Sequence, residues 1–116
     1  MSDRTRAGLG LLGLLGLGAK AGRLAIGVEA ARDALRRGVA QGLVLAVDAS
    51  PRARDRLVAL AGHREVPVLR GPPAEAMGRV LGGRPPVHGV AVLDRQLARG
   101  LRAYLEAEVR GEKVGI

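Results

Sequence analysis

Asp48, Ser50 and Asp55 are the residues of this chain best placed by type and spacing for acid–base or nucleophilic chemistry. A serine hydroxyl becomes a nucleophile only with a base held against it, and no histidine stands near Ser50 in the sequence. Ser50 also precedes Pro51, a pairing that opens helices, so its oxygen has a capping role of its own. We therefore assign no catalytic residue and expect no enzyme. His63 and His88 lie far apart and match no metal-ligand spacing. The absence of cysteine excludes disulfides, thiol catalysis and thiolate metal sites. Neither a metal nor a cofactor is expected. Gly8, Gly10 and Gly13 spell the dinucleotide fingerprint, but that motif needs a strand before it and a helix after it. Only the polar stretch 1–7 precedes it, and in a chain with 18 glycines one such spacing is ordinary.

What remains is cation chemistry. Nineteen Lys and Arg oppose 11 Asp and Glu, a formal net charge of +8. Only Lys20 and Lys113 are lysines; the other seventeen cations are arginines. The forked guanidinium matches phosphate oxygens and guanine edges. A field of this sign draws polyanions such as nucleic acid. Arg32 and Arg36, four apart, share one face of a helix, and with Arg37 they form a candidate RNA-facing patch.

These residues must be carried by ordered elements. A length of 116 residues argues for one domain, 1–116, with an ordered core over about 7–110. The chain is 47% hydrophobic with Tyr104 its single aromatic, so the core must be aliphatic. Arg4 and Arg6 before the run Leu9–Leu17 imitate a secretory signal. Gly10, Gly13 and Gly16 interrupt that run, and it is too short to span a bilayer. Leu11, Leu12, Leu14 and Leu15 instead fit a buried amphipathic helix. The expectation is a cytoplasmic protein without membrane contact.

Helix and strand signals then alternate. A first helix is predicted over about Ala7–Ala21, stopped by Gly22. Leu24–Ile26 reads as a strand. Gly27 turns the chain into a helix from Val28 to about Arg37, closed by Gly38, with Ala31, Ala34 and Leu35 inward. The apolar run Leu43–Val47 suits a central strand covered on both faces. Ser50 and Pro51 start a helix reaching about Gly62. Val66–Leu69 is the next strand, Ala74 to Leu81 a fourth helix, and Val90–Leu93 the last strand. A final helix over about Asp94–Val109 turns Leu97, Leu101, Tyr104 and Leu105 inward. Residues Lys113–Ile116 read as a frayed tail. This alternation predicts an α/β fold, a three-layer α/β/α sandwich on a small mixed four-stranded sheet.

The order of signatures resembles the kink-turn-binding ribosomal protein family, the L7Ae/L30e superfamily, and within it the bacterial YlxQ-like branch. Leu12-Gly13-Leu14-Leu15 through Ala19-Lys20-Ala21-Gly22-Arg23-Leu24 is similar to its opening helix and basic turn. Gly27 and Gly38 bracket a helix like its RNA-facing one. Ala40 to Ala46 with Asp48-Ala49-Ser50-Pro51 resembles its central strand and acidic turn. Val66-Pro67-Val68, Met77-Gly78 with Gly82, and Arg84-Pro85 before Val90-Ala91-Val92 complete the match, over about Leu9–Leu105. The resemblance implies binding of structured RNA at a sharply bent helix–internal-loop–helix element, in a ribosome- or translation-associated monomer. RNA and ribosomal proteins are the implied partners; a protein-interaction adaptor on the same fold is the alternative.

Carried over by position, the resemblance puts Gly27, Val28 and Glu29 at the turn that reads sheared G·A pairs. It makes Lys20, Arg23 and Arg32 the nearby cations, with Arg36 further along. It places Arg84, Pro86, Val87 and His88 in a loop that covers an extruded base. The chain departs from the pattern twice. Glu29 and Ala30 stand where RNA-binding members carry Asn and Glu, and Asp33 stands where they carry Lys.

Overall fold

The computed structural model describes the backbone of residues 2–109 and the side chains of residues 10–104. The described residues form five helices and four strands in the order α1 Ser2–Lys20, β1 Leu24–Ile26, α2 Val28–Arg36, β2 Gly42–Leu45, α3 Pro51–His63, β3 Val68–Arg70, α4 Ala74–Val80, β4 Gly89–Val92 and α5 Arg95–Val109. The predicted frayed tail and the side chain of Leu105 lie outside the described residues. No helix among the described residues is long and apolar enough to cross a membrane.

The strands pair in the order β1-β4-β2-β3. β4 runs antiparallel to β1 and β2, and β2 runs parallel to β3, so the sheet is mixed. Side chains alternate across a sheet, and in β1 and β4 the alternation sorts sizes. Gly89, Ala91 and Ala25 face one side, where Leu57 of α3 fills the space over Gly89. Leu24, Val92 and Val44 face the other side, against α5, α1 and α4. α2 and α3 pack together on the small-residue face; α1 packs against α4 and α5 across the sheet. The result is a three-layer α/β/α sandwich. Its core is aliphatic, from Leu15, Leu35, Leu43, Leu57 and Leu101 to Met77, and no polar or charged residue among the described ones is buried.

Local chemistry explains most boundaries. Ser50 caps α3, its hydroxyl accepting the Ala53 N–H at 3.2 Å, with Pro51 in the first turn. α4 has no such cap of its own. Asp48, in the turn after β2, accepts the Ala74 N–H at 2.8 Å and sets a carboxylate at the helix's positive end. α1 begins earlier than the predicted Ala7, at Ser2, and breaks at Gly10 (φ 49°, ψ −156°), a backbone state open to little but glycine. Within it Leu15 is buried while Leu12 and Leu17 stay exposed. β2 ends before the predicted Val47: the Ala46 N–H makes a last rung to His88 O in register with β4, and the Val47 N–H leaves the ladder for Pro72 O. β3 starts later than predicted; Pro67 offers only its carbonyl, to Leu43 N–H.

α1, α2 and α3 end alike. In each, the N–H two residues beyond the cap bonds back to the helix, as Arg23 to Gly18, Val39 to Ala34 and Val66 to Ala61. The residue in between is left-handed: Gly22, Gly38 and, in α3, Glu65 at φ 57°. A side chain there costs about 1–2 kcal/mol, which glycine avoids at some cost in chain entropy. Glu65→Gly is therefore expected to stabilise the protein by about 1 kcal/mol, read as a raised midpoint in denaturant melts. An unchanged or lowered midpoint would contradict this account of the α3 terminus.

Asp94 caps α5 in the same economical way. Its carboxylate accepts the Leu97 N–H at 2.9 Å and pairs with the Arg23 guanidinium. The Leu97 N–H first, and then the Arg23 charge, hold the Asp94 carboxyl below its ordinary value against partial desolvation. A depressed carboxylate stabilises the fold above its unfolded-state pKa and loses that contribution as pH falls through the lower folded value. Asp94→Asn keeps an oxygen for the cap but drops the charge. Its stability deficit should be present at neutral pH and shrink as the pH falls below the usual carboxylate range, as urea midpoints across a pH series will read. A deficit independent of pH would place the contribution in the hydrogen bond alone.

Candidate nucleic-acid interface

The turn at Gly27 and the loop ahead of β4 meet at one end of the sheet. Gly27 has φ 102° and ψ 159°, again a state that side chains avoid. This geometry lets its N–H donate to Gly89 O at 2.9 Å while its carbonyl accepts from Ala31 N–H and begins α2. Next to Gly89, His88 gives its carbonyl to Ala46 N–H, and Val87 donates to Ala74 O. Three segments distant in sequence are thereby pinned around the N-terminus of α2. No side chain caps that terminus. Its first-turn amides form a positive pole of the kind that holds anions.

Glu29 lies in this first turn and is 76% exposed. Its two oxygens face two different arginines. Arg32 approaches Oε1 at 3.8 Å from the next turn of α2, and Arg56 approaches Oε2 at 3.3 Å from α3. Exposed pairs of this kind hold by about 0–1 kcal/mol, so either guanidinium leaves the carboxylate cheaply. Arg56 is not a residue that sequence reasoning singles out. Its only signal there is the spacing Arg52-x-x-x-Arg56 on the α3 helix, and the packing of α3 on α2 supplies the rest.

His88 is half-buried, with an Nδ1 that is buried and has no hydrogen-bond partner. Val87 points the other way, into the core at 6% exposure. Of the loop residues, Pro86 and Arg84 are exposed. Arg84 is turned back onto α4, its Nε donating to Leu81 O at 2.8 Å.

The remaining cations lie elsewhere. β1 spans three residues, roughly 10 Å, with Gly27 after one end and Arg23 before the other. Arg23 therefore sits beside Asp94, beyond the far end of β4. α2 runs back over the sheet, and Gln41 N–H donates to Val92 O at that same far end. Arg36 and Arg37 close α2 there, Arg37 paired with Asp33 at 3.2 Å and the Arg36 carbonyl held by Arg64. Lys20 closes α1, exposed, shortly before Arg23. The structure thus gathers Gly27, Val28, Glu29, Arg32 and His88, adds Arg56, and separates Lys20, Arg23 and Arg36 from them.

Comparison with known proteins bears on what this geometry belongs to. No curated protein sequence matches the chain. The structure of a protein with unknown function from Bacillus halodurans C superposes with a TM-score of 0.77 and 28% identity, covering 83% of this chain and 96% of that one. The Giardia lamblia 15.5kD RNA binding protein shares the fold with a TM-score of 0.70 and 23% identity, over 90% of this chain and 88% of its own. The family model of the ribosomal protein L7Ae/L30e/S12e/Gadd45 family matches residues 11–102. With a match running from α1 into α5, the chain belongs to the ribosomal protein L7Ae/L30e/S12e/Gadd45 family.

Proposed function

We propose that this chain is a non-enzymatic, cytoplasmic RNA-binding module of ribosomal-protein type, YlxQ-like, that grips structured RNA of the kink-turn kind at the α2 N-terminus. The observation that carries the reading is the cluster of uncapped α2 amides, Glu29, Arg32, Arg56 and the half-buried His88 around the Gly27 turn. Family membership supports it, as does a fold shared with an RNA-binding protein of Giardia lamblia.

The chemistry follows from the free state. Glu29 holds two arginines loosely. A guanine offers N–H groups to a carboxylate, and phosphates offer oxygens to guanidinium forks. As Glu29 engages a base, Arg32 and Arg56 are released to adjacent phosphates, and the α2 amides face a third. Phosphate contacts fix the register, while the base contact carries the selectivity. An unstacked base is the form in which RNA exposes such an edge, and the imidazole of His88 offers it a surface on which to stack.

The test is a titration of the protein with a kink-turn RNA and with a plain duplex of equal length, at two salt concentrations. Selective binding to the kink-turn RNA is expected, falling steeply with salt. Arg32→Ala with Arg56→Ala should flatten the salt slope by roughly 0.7–0.9 for each phosphate that is no longer neutralised. Arg23→Ala, at the other end of the sheet, should leave selectivity unchanged. Equal, weak binding to both RNAs would sink the kink-turn reading. The pairing of Arg23 with Asp94 and of Arg37 with Asp33 neutralises cations that a wide RNA footprint would use. If RNA binding fails, that observation favours a protein-binding adaptor of the translation machinery.

A further inference from the structure

The side of the sheet that carries α2 and α3 is not fully covered. β3 is an edge strand, paired only with β2. Between it and α3 runs an open groove of about 490 Å³. Val47, Val58 and Val68 line it, each more than a third exposed, and together they make up half of the large exposed hydrophobics among the described residues. Leu45 forms part of its floor, and Arg54 of α3 and Arg70 of β3 stand over it. Neither arginine has an ion-pair partner among the described residues, unlike Arg23, Arg32, Arg37 and Arg56.

The backbone at this edge is also unspent. Parallel pairing uses alternate residues of a strand. Leu43 N–H bonds to Pro67 O, and Gly71 N–H to Leu45 O. The residues in between, Val68 and Arg70, therefore direct their N–H and C=O groups outward. The strand is short and bracketed by Pro67 and Pro72, but no proline lies within Val68–Arg70 to remove an outward donor. Val68 and Arg70 are two apart, so their side chains fall on the same face as α3.

We propose that this edge and groove form a protein-binding site that takes an extended acidic–apolar peptide segment as an added strand. The free amides and carbonyls of Val68 and Arg70 pair with the backbone of the segment. Its apolar side chains enter between Val58 and Val68, and its carboxylates meet Arg54 and Arg70. Main-chain pairing supplies affinity in such sites, and the side-chain pockets supply selectivity. A polyanionic RNA would use the two arginines but leave the valines and the strand edge unused, so a peptide fits more of what is there. The groove borders the candidate RNA interface, since Ala46 of its lining donates to His88 O, but Val58, Val68 and the strand edge lie on α3 and β3, and the RNA reading neither requires it nor is required by it.

The experiment is an NMR titration of the full chain with a short peptide alternating Glu and Val. Three probes run beside it: the same peptide with Lys for Glu, the peptide N-methylated at alternate amides, and a duplex RNA. Saturable shifts confined to Val58, Val68, Arg70 and their neighbours are expected with the acidic peptide. The Lys peptide should bind about 10-fold or more weakly, a difference of about 1.4 kcal/mol. Arg54→Glu with Arg70→Glu, shown to be folded by circular dichroism, should invert that preference, and N-methylation should abolish binding. The proposal fails on any of four results. These are no saturable shifts with the acidic peptide, equal affinity for the Glu and Lys peptides, RNA shifting these residues while the peptide does not, or concentration-dependent self-association through Val68 that leaves no room for a peptide.

Discussion

Replacing Gly78 with alanine is expected to destabilise the protein by about 3 kcal/mol, with a large fall in its denaturation midpoint. Gly78 is buried in the second turn of α4. A β carbon there would stand 2.3 Å from Pro85 O, 2.6 Å from Arg84 O and 2.9 Å from the Pro85 carbonyl carbon. All three obstacles are backbone, so no rotamer change relieves them. The loop has little room to yield, because Arg84 N–H is bonded to Gly78 O at 2.8 Å and Arg84 Nε to Leu81 O. The overlap must therefore be resolved by parting the loop from α4. Gly62→Ala is the matched control. It makes the same chemical change in α3, where a β carbon meets nothing within 4 Å, and helix propensity alone should stabilise by about 0.5–1 kcal/mol. Opposite signs for the two variants are the expected result. Equal effects would mean that glycine acts at position 78 through propensity and not through contact. The consequence reaches the candidate interface, since the parted loop leads through Val87 to His88. RNA affinity should fall in the folded fraction of Gly78→Ala and not in Gly62→Ala.

The same loop shows how far sequence reasoning reaches. The alternation of helices and strands was legible because each element announces itself locally. Ser50-Pro51 opens α3, Gly38 closes α2, and apolar runs without helical spacing give β2 and β4. The resemblance added the turn at Gly27 and the loop before β4, and the bond from Gly27 to Gly89 brings these together. What the sequence does not carry is lateral position. Val87 reads as an apolar residue in a functional loop, but its N–H is bonded to Ala74 O and its side chain is in the core. Lys20 and Arg23 are close to Gly27 in sequence, yet the short strand β1 sets them at the opposite end of the sheet. Arg56 is far from Glu29 in sequence and lies against it only because α3 packs on α2. Asp48 reads as a turn residue and serves as the cap of a helix 26 positions later. In each case a contact made by tertiary packing decides the role, and no local pattern encodes it.

That dependence on packing can be measured at Gly89 and Leu57. Leu57 is fully buried on α3, next to Arg56, and its Cδ1 would lie 2.5 Å from a β carbon on Gly89. The missing side chain at Gly89 leaves room for Leu57 against β4, and the neighbouring Arg56 reaches Glu29 where α3 packs on α2. Gly89→Ala should cost about 1–3 kcal/mol, since a buried leucine has few other rotamers to take. Leu57→Ala should cost about 2–5 kcal/mol by opening a cavity over the strand. In the double variant the new methyl group occupies part of that cavity and meets no leucine. The two losses should therefore fail to add, with a coupling of about 1 kcal/mol or more in favour of the double variant. Urea melts of the four proteins read this directly, and simple additivity would show that the two residues do not share the space. RNA affinity should follow the same pattern. In Gly89→Ala the leucine is crowded and α3 shifts with it, so the folded fraction should bind kink-turn RNA with the weakened salt slope expected of Arg56→Ala. In the double variant nothing crowds the new methyl group, and the slope should return toward that of the parent even though some stability is still lost. An unchanged slope in folded Gly89→Ala would show that the packing of α3 on α2, and not this contact with β4, sets the placement of Arg56.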